Sequence, residues 1–245
     1  MAVNLLMDKN KPLIYDLSFA ELEDHLVSIG EQRYRAKQVW EGIYHHFVPG
    51  VQEITNLPIL LRSKLATDLS FSAFKPIKTI QSKDGLTEKV LFQLQDGALI
   101  EAVLMLYDNR RTVCISSQSG CSLGCVFCAT GQRGFYRNLS KGEIVAQVLY
   151  FERYLANLGD RVTNVVIMGM GEPFLNYDQV MSAVERMNDP EGLKLGARRI
   201  TISTVGIVPK IKKFADTNAQ VNLAISLHTV NNNLSQDSHP SGFGF

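Results

Sequence analysis

The sequence predicts an α/β protein, a parallel sheet or barrel preceded by a few short helices and a set of antiparallel strands. Three observations carry this. Apolar residues recur at helical spacing up to about residue 70, then alternate with period two from Lys75. From Thr112 onward, strand-like apolar runs alternate with helix-like ones. The later strands end in glycine, serine or cysteine, and such folds gather their functional groups at those ends.

At 245 residues and 45% hydrophobic content, the chain can enclose one large core or a core with an accessory unit. No apolar run approaches the roughly 18 residues that span a bilayer. Residues 1–12 lack the charged, then apolar, then small succession of a signal peptide. A cytoplasmic protein without a membrane partner is expected, in which four cysteines mean metal or redox chemistry rather than structural disulfides.

Ser18-Phe-Ala-Glu21 reads as a capping box, a hydroxyl N-cap with a carboxylate three residues on. Leu22, Leu26 and Ile29 follow at helical spacing, and Gly30 ends the helix. A second helix is expected from about residue 33 to 47, with Ala36, Trp40, Ile43 and Phe47 on one face. A third starts at Pro58 as first helical residue and buries Leu61, Leu65 and Leu69. These make a helical accessory domain, residues 1–74. Its Arg33, Arg35 and Lys37 are read as a solvated face, because residues 1–80 hold nine bases and nine acids.

Residues 77–81, 88–95 and 98–106 are expected strands, separated by Asp84-Gly85 and Asp96-Gly97 turns. They form a hairpin extension over 75–106. Glu101 alternates with Leu99, Val103 and Met105, so all four share one face. A carboxylate among apolar neighbours is costly to ionise, which is how a general base is poised. An exposed edge-strand glutamate fits the same pattern.

The core is expected over 107–230. A strand at 112–117 leads into a cysteine loop, and Ser140-Lys-Gly-Glu143 caps a helix carrying Ile144, Val145, Val148 and Leu155. The run 162–168 is nearly all apolar, as in a strand covered on both faces, and ends in Gly169-Met-Gly-Glu-Pro173. Asn176 is expected to cap the next helix. Strands at 199–203 and 221–227 follow, with a helix begun by Pro209 between them. Residues 231–245 read as an irregular tail.

Cys121, Cys125 and Cys128 lie within eight residues on one loop. Clustered thiolates select zinc or iron–sulfur centres. Structural zinc normally takes four ligands, and no histidine lies between Cys128 and His228. Three cysteines on a cubane 4Fe-4S cluster would leave one iron open to a small molecule. Zinc completed from far away, or thiols buried as small hydrophobes, are the alternatives. The other strand ends supply Gly169, Gly171 and Glu172, then Ser203, then Ser226 and His228. The glycines would let a ligand approach closely, Glu172 would accept from an ammonium group, and the serines would meet a carboxylate or ribose. Beside an open iron, that ligand is S-adenosylmethionine (SAM). Basic zones at 107–141 (five Lys/Arg, one acid) and 194–213 (six, no acid) flank this face and suit phosphates or plain solvent.

The block Ser116-Ser-Gln-Ser-Gly-Cys-Ser-Leu-Gly-Cys-Val-Phe-Cys-Ala-Thr-Gly-Gln-Arg-Gly-Phe, with Met168-Gly-Met-Gly-Glu-Pro, Ile202-Ser-Thr-Val-Gly and Ile225-Ser-Leu-His, resembles the RlmN family. These are radical SAM methyltransferases that modify carbon-2 of adenosine in 23S rRNA and tRNA. The similarity runs from the N-terminal helices to about Asn231, and a related carbon-8 methyltransferase shares the core. The resemblance implies a partial (β/α) barrel of radical SAM type, here about four of six strands. It implies cluster ligation by Cys121, Cys125 and Cys128, and SAM contacts from Gly171, Glu172, Ser203, Ser226, Leu227 and His228. Glu101 falls on the general base, and Cys114 on the cysteine that releases product by forming a disulfide. An electron donor such as flavodoxin, RNA as substrate and a monomeric state are implied with it.

In the family a second, late cysteine carries the methyl group, but no cysteine follows Cys128 here. The sequence is therefore expected to be a C-terminally truncated form that binds a cluster, cleaves SAM and fails to complete methyl transfer. Another radical SAM enzyme acting on a small molecule, or an inactive cluster- or RNA-binding fragment, are the competing readings.

Overall fold

The computed structural model describes residues 11–227. Three helices open it: α1 (Phe19–Ser28), α2 (Tyr34–Tyr44) and α3 (Ile59–Asp68). The first capping box forms as expected, Glu21 N donating to Ser18 Oγ (3.2 Å) and Ser18 N to Glu21 Oε2 (2.6 Å). Helix α2 stops three residues short of its expected end, because Phe47 takes a left-handed backbone (φ 52°). Pro58 is the N-cap of α3 rather than its first residue. Leu22, Leu26, Trp40, Ile43, Leu61 and Leu65 are buried together, in the same continuous core that backs the sheet.

Four antiparallel strands follow, β1 (Phe74–Gln81), β2 (Thr87–Leu94), β3 (Leu99–Tyr107) and β4 (Arg110–Cys114). Both Asp-Gly turns form, each aspartate accepting from the amide two residues on: Leu86 N at 3.0 Å and Ala98 N at 2.9 Å. Next come β5 (Gln118–Gly120), α4 (Ala129–Gln132), β6 (Phe135–Asn138), α5 (Lys141–Ala156), β7 (Asn164–Ile167), α6 (Tyr177–Asn188), β8 (Ile200–Thr204), α7 (Val208–Ala215) and β9 (Asn222–Ile225).

The principal sheet runs β1-β2-β3-β4-β7-β8-β9. Its last four strands are parallel and in sequence order, the expected strand–helix succession. The hairpin strands are continuous with them through the β3–β4 pairing, so extension and core share one sheet. Side chains alternate across it. Ile100, Ala102, Leu104, Val113, Val165, Ile167, Ile200 and Ile202 are buried on the helix-covered face. The other face, with Glu101, Val103, Cys114, Val166 and Ser203, is only half-buried. Hence β7 is covered on one face, not on both as its apolar composition suggested.

Candidate active site

The cysteine loop is gripped by a hairpin too short to leave a periodic signal. β5 leads into it, β6 leads out, and the two pair antiparallel. Cys121 N donates to Gly134 O (3.0 Å) and Cys128 N to Cys125 O (3.1 Å), while Gln132 Nε2 donates to Val126 O (2.6 Å). The loop is thus ordered by its own backbone together with the Gln132 side chain.

Cys121 and Cys125 are buried and Cys128 half-buried, packed with Leu123, Leu175 and Val205. Burial pushes the Cys121 and Cys125 thiols up, and the charge of neighbouring thiolates adds to it. A soft cationic centre relieves both effects by binding the thiolate form. Among the described residues, no three His, Cys, Asp or Glu side chains converge on a single-ion position.

A cavity of about 240 Å³ lies against the loop. Its wall joins Cys121, Cys125 and Cys128 to Gly171 and Glu172 after β7, to Ser203 in β8, and to Ser226 after β9. The residues predicted from separate strand ends therefore meet in one place. Glu172 is nearly inaccessible (3%), and burial pushes its carboxyl up. Its Oε1 accepts from Phe174 N and its Oε2 from Val205 N, both at 3.0 Å, which binds the β7 loop to the β8 loop. The Thr204 side chain hydrogen-bonds to the same carboxylate. The Ser203 and Ser226 hydroxyls share a hydrogen bond of 2.9 Å.

Gly171 has φ 97°, and a Cβ there would clash with the Gln118 side chain. Protein packing thus demands glycine at this position, which also lines the cavity. Leu227 is 61% exposed and does not line the cavity. His228 lies outside the described residues.

Glu101 and Cys114 do not line this cavity either. They share the half-buried sheet face, Cys114 standing opposite Val103 in β3 and beside Val166 in β7. Glu101 shares its face with Leu99, Val103 and Met105 as expected and is not an edge residue, but Lys89 Nζ, on the adjoining strand, also lies 3.2 Å from its Oε1. The buried face of β3 is the opposite one, Ile100, Ala102 and Leu104. Burial pushes the Cys114 thiol up to about 11, so it holds its proton at neutral pH. All four cysteines are free thiols, and the disulfide that the resemblance implies is not formed.

Several side chains that build the site gave no sequence signal. Gln118 Oε1 accepts from Glu172 N (2.9 Å). Buried Gln147 accepts from Ser116 N (2.8 Å) and donates to Ser116 O (2.9 Å), fixing the strand end before the cysteine loop. Asn176 is not the side-chain cap expected for α6: its amide donates to Ser117 O and Leu139 O, both at 2.8 Å. Much of the expected basic surface is also internally paired. Arg111 meets Asp160, Arg137 meets Asp96 and Glu143, and Lys213 meets Asp178.

Fold and site define a class: a parallel α/β sheet carrying a three-cysteine loop and a ligand cavity at its strand ends. The radical SAM superfamily model matches residues 115–240, and the ribosomal RNA large subunit methyltransferase N-terminal domain model matches residues 13–70. A probable dual-specificity RNA methyltransferase RlmN of Chloroflexus aurantiacus is 47% identical over 93% of this chain and 61% of its own length. The corresponding protein of Geobacillus kaustophilus is 46% identical over 91% of this chain and 61% of its own. The crystal structure of a radical SAM methyltransferase from Sphaerobacter thermophilus superposes with a TM-score of 0.90 at 46% identity, covering 94% of this chain and 67% of that one. The chain belongs to the RlmN family of radical SAM methyltransferases. It spans about 61% of the length of these curated relatives.

Proposed function

We propose that this chain provides the cluster- and SAM-binding part of an enzyme that methylates carbon-2 of adenosine in 23S rRNA and tRNA. The observation carrying this is the single cavity lined by Cys121, Cys125 and Cys128 together with Gly171, Glu172, Ser203 and Ser226. The three thiolates would hold a 4Fe-4S cluster, which with SAM supplies a carbon-centred radical on reduction. Glu172 accepts the ligand's ammonium group, and the Ser203–Ser226 pair exchanges its mutual hydrogen bond for bonds to carboxylate or ribose oxygens.

Glu101 takes the ring proton at its carboxylate, held toward the open sheet face by Lys89. Cys114, held as a thiol by burial, would resolve the adduct. Once deprotonated, its sulfur bonds to the sulfur that carries the transferred carbon; the S–C bond there breaks, and its electron pair and a proton complete the methyl group on the product. A small electron donor such as flavodoxin, a monomeric state and a cytoplasmic location go with this reading. Within these 245 residues no cysteine follows Cys128.

Anaerobic reconstitution tests the reading. About four irons and four sulfides per chain are expected, with 5′-deoxyadenosine released from SAM under reduction and no methylated adenosine from the 245-residue chain alone. Stoichiometric zinc uptake without iron would overturn the cofactor assignment. Methylated adenosine made by this chain would overturn the reading of Cys114 as dependent on a later cysteine.

A further inference from the structure

A second pocket, about 400 Å³, opens beside the cysteine loop and has no part in the site described above. Asp96, Gly120, Arg133, Phe135, Tyr136 and Met170 are among the residues around it. Two of its aromatic rings are left in water, Phe135 at 47% and Tyr136 at 63% exposure. Both lie on β6, which pairs only with β5, so its other edge is open. The Arg133 guanidinium makes no hydrogen bond or ion pair among the described residues, and the charge of Asp96 is taken up by Arg137. The pocket therefore offers planar apolar surface with one uncommitted cation.

Its position gives it a use. Met170 stands between Gly169 and Gly171, which line the SAM cavity, and Gly120 leads directly into Cys121. The two pockets thus open on either side of one loop. An adenosine presented to the reaction centre must leave its stack, and its neighbour loses a stacking partner with it. Exposed aromatic rings replace that partner whatever the base, and an arginine fixes the phosphate between the two nucleotides.

We infer that this pocket binds the nucleobase adjoining the target adenosine, with Phe135 and Tyr136 as the stacking platform and Arg133 as the phosphate contact. The inference rests on the proposal that the substrate is RNA. The test titrates the reconstituted 245-residue chain with an RNA stem–loop carrying 2-aminopurine next to a loop adenosine. RNA-independent SAM cleavage is measured in parallel. Replacing both rings, Phe135→Leu with Tyr136→Leu, is expected to weaken binding about tenfold or more and abolish fluorescence quenching. Phe135→Tyr with Tyr136→Phe keeps both rings and retains binding. Arg133→Gln lowers affinity and reduces the salt dependence by about one counterion.

SAM cleavage stays unchanged in all three variants. Wild-type affinity and quenching in the leucine variant overturn the platform and leave the RNA reading standing. A chain that cleaves SAM but binds no RNA overturns both. RNA binding that responds to the leucine variant without SAM cleavage counts against the radical chemistry alone and supports the platform.

Discussion

Glu152 illustrates how one buried acid sets a pH response. It is 2% exposed at the end of α5, and its Oε2 accepts from Val162 N at 3.0 Å. Burial raises its carboxyl to about 7, against an ordinary value of 4.5. The folded state binds this proton more tightly than the unfolded state. Its contribution is therefore fully present below about 4.5 and lost as pH rises through about 7. Urea unfolding at pH 5.5 and pH 8 should show the chain losing about 2 kcal/mol from this group across that interval. Glu152→Gln keeps the acceptor for Val162 and should flatten the difference; an unchanged pH slope in the variant would refute the assignment. At the reaction centre, Gly171→Ala should cost at least about 1–2 kcal/mol from the left-handed backbone alone, before the clash with Gln118. SAM affinity measured by titration should fall with it. Glu101 shows what single residues conceal: its strand face was legible from alternation, whereas Lys89, twelve positions earlier, is its neighbour only through the β2–β3 register. The amides of Gln147 and Asn176 likewise reach carbonyls 31 to 59 residues away, and nothing local announces such bonds.

At the scale of elements, legibility follows length and locality. Both capping boxes and both Asp-Gly turns were readable, because each is closed by residues within three positions of one another. The β5–β6 hairpin was not, having three and four residues and no room for a period. Yet this hairpin governs the cysteine loop. Gly120 has φ 77°, and a Cβ there would stand within van der Waals contact of the Gly134 carbonyl oxygen. Gly120→Ala is expected to spring the hairpin and empty the loop of iron while the rest of the fold survives. Iron per chain after reconstitution should fall well below wild type, with the main unfolding transition little changed; full iron loading would show that the loop does not need its clasp. The extents of β7 and β9 were over-read from composition, since apolar residues continue past the point where pairing ends.

Over the whole molecule, the four-strand parallel order and the meeting of its ends were legible because strand–helix alternation allows few arrangements. How the N-terminal helices attach was not legible, since it depends on contacts across more than 100 residues. Arg186 of α6 is one such fastening. It is 8% exposed, donates to Tyr44 Oη (2.7 Å) and Leu17 O (3.0 Å), and lies 4.2 Å from the Trp40 ring. Arg186→Ala removes charge-assisted hydrogen bonds and a cation–π contact together, an expected loss of about 2–4 kcal/mol. Trp40 is the only tryptophan in the sequence, so its fluorescence reports this junction directly. A denaturation midpoint equal to wild type would show the junction to be held otherwise.

Asp16 draws the same parts together from the other direction. Its carboxylate accepts from Gly142 N (2.7 Å) and Ser140 Oγ (3.0 Å), so an anion from the start of the chain sits on the positive end of α5. That helix carries Gln147, which steadies the strand end feeding the cysteines. The front of the protein is thus a keystone for chemistry performed elsewhere in it. Damage at Asp16, more than 100 residues before Cys121, should reach the cysteine loop by way of this single borrowed carboxylate.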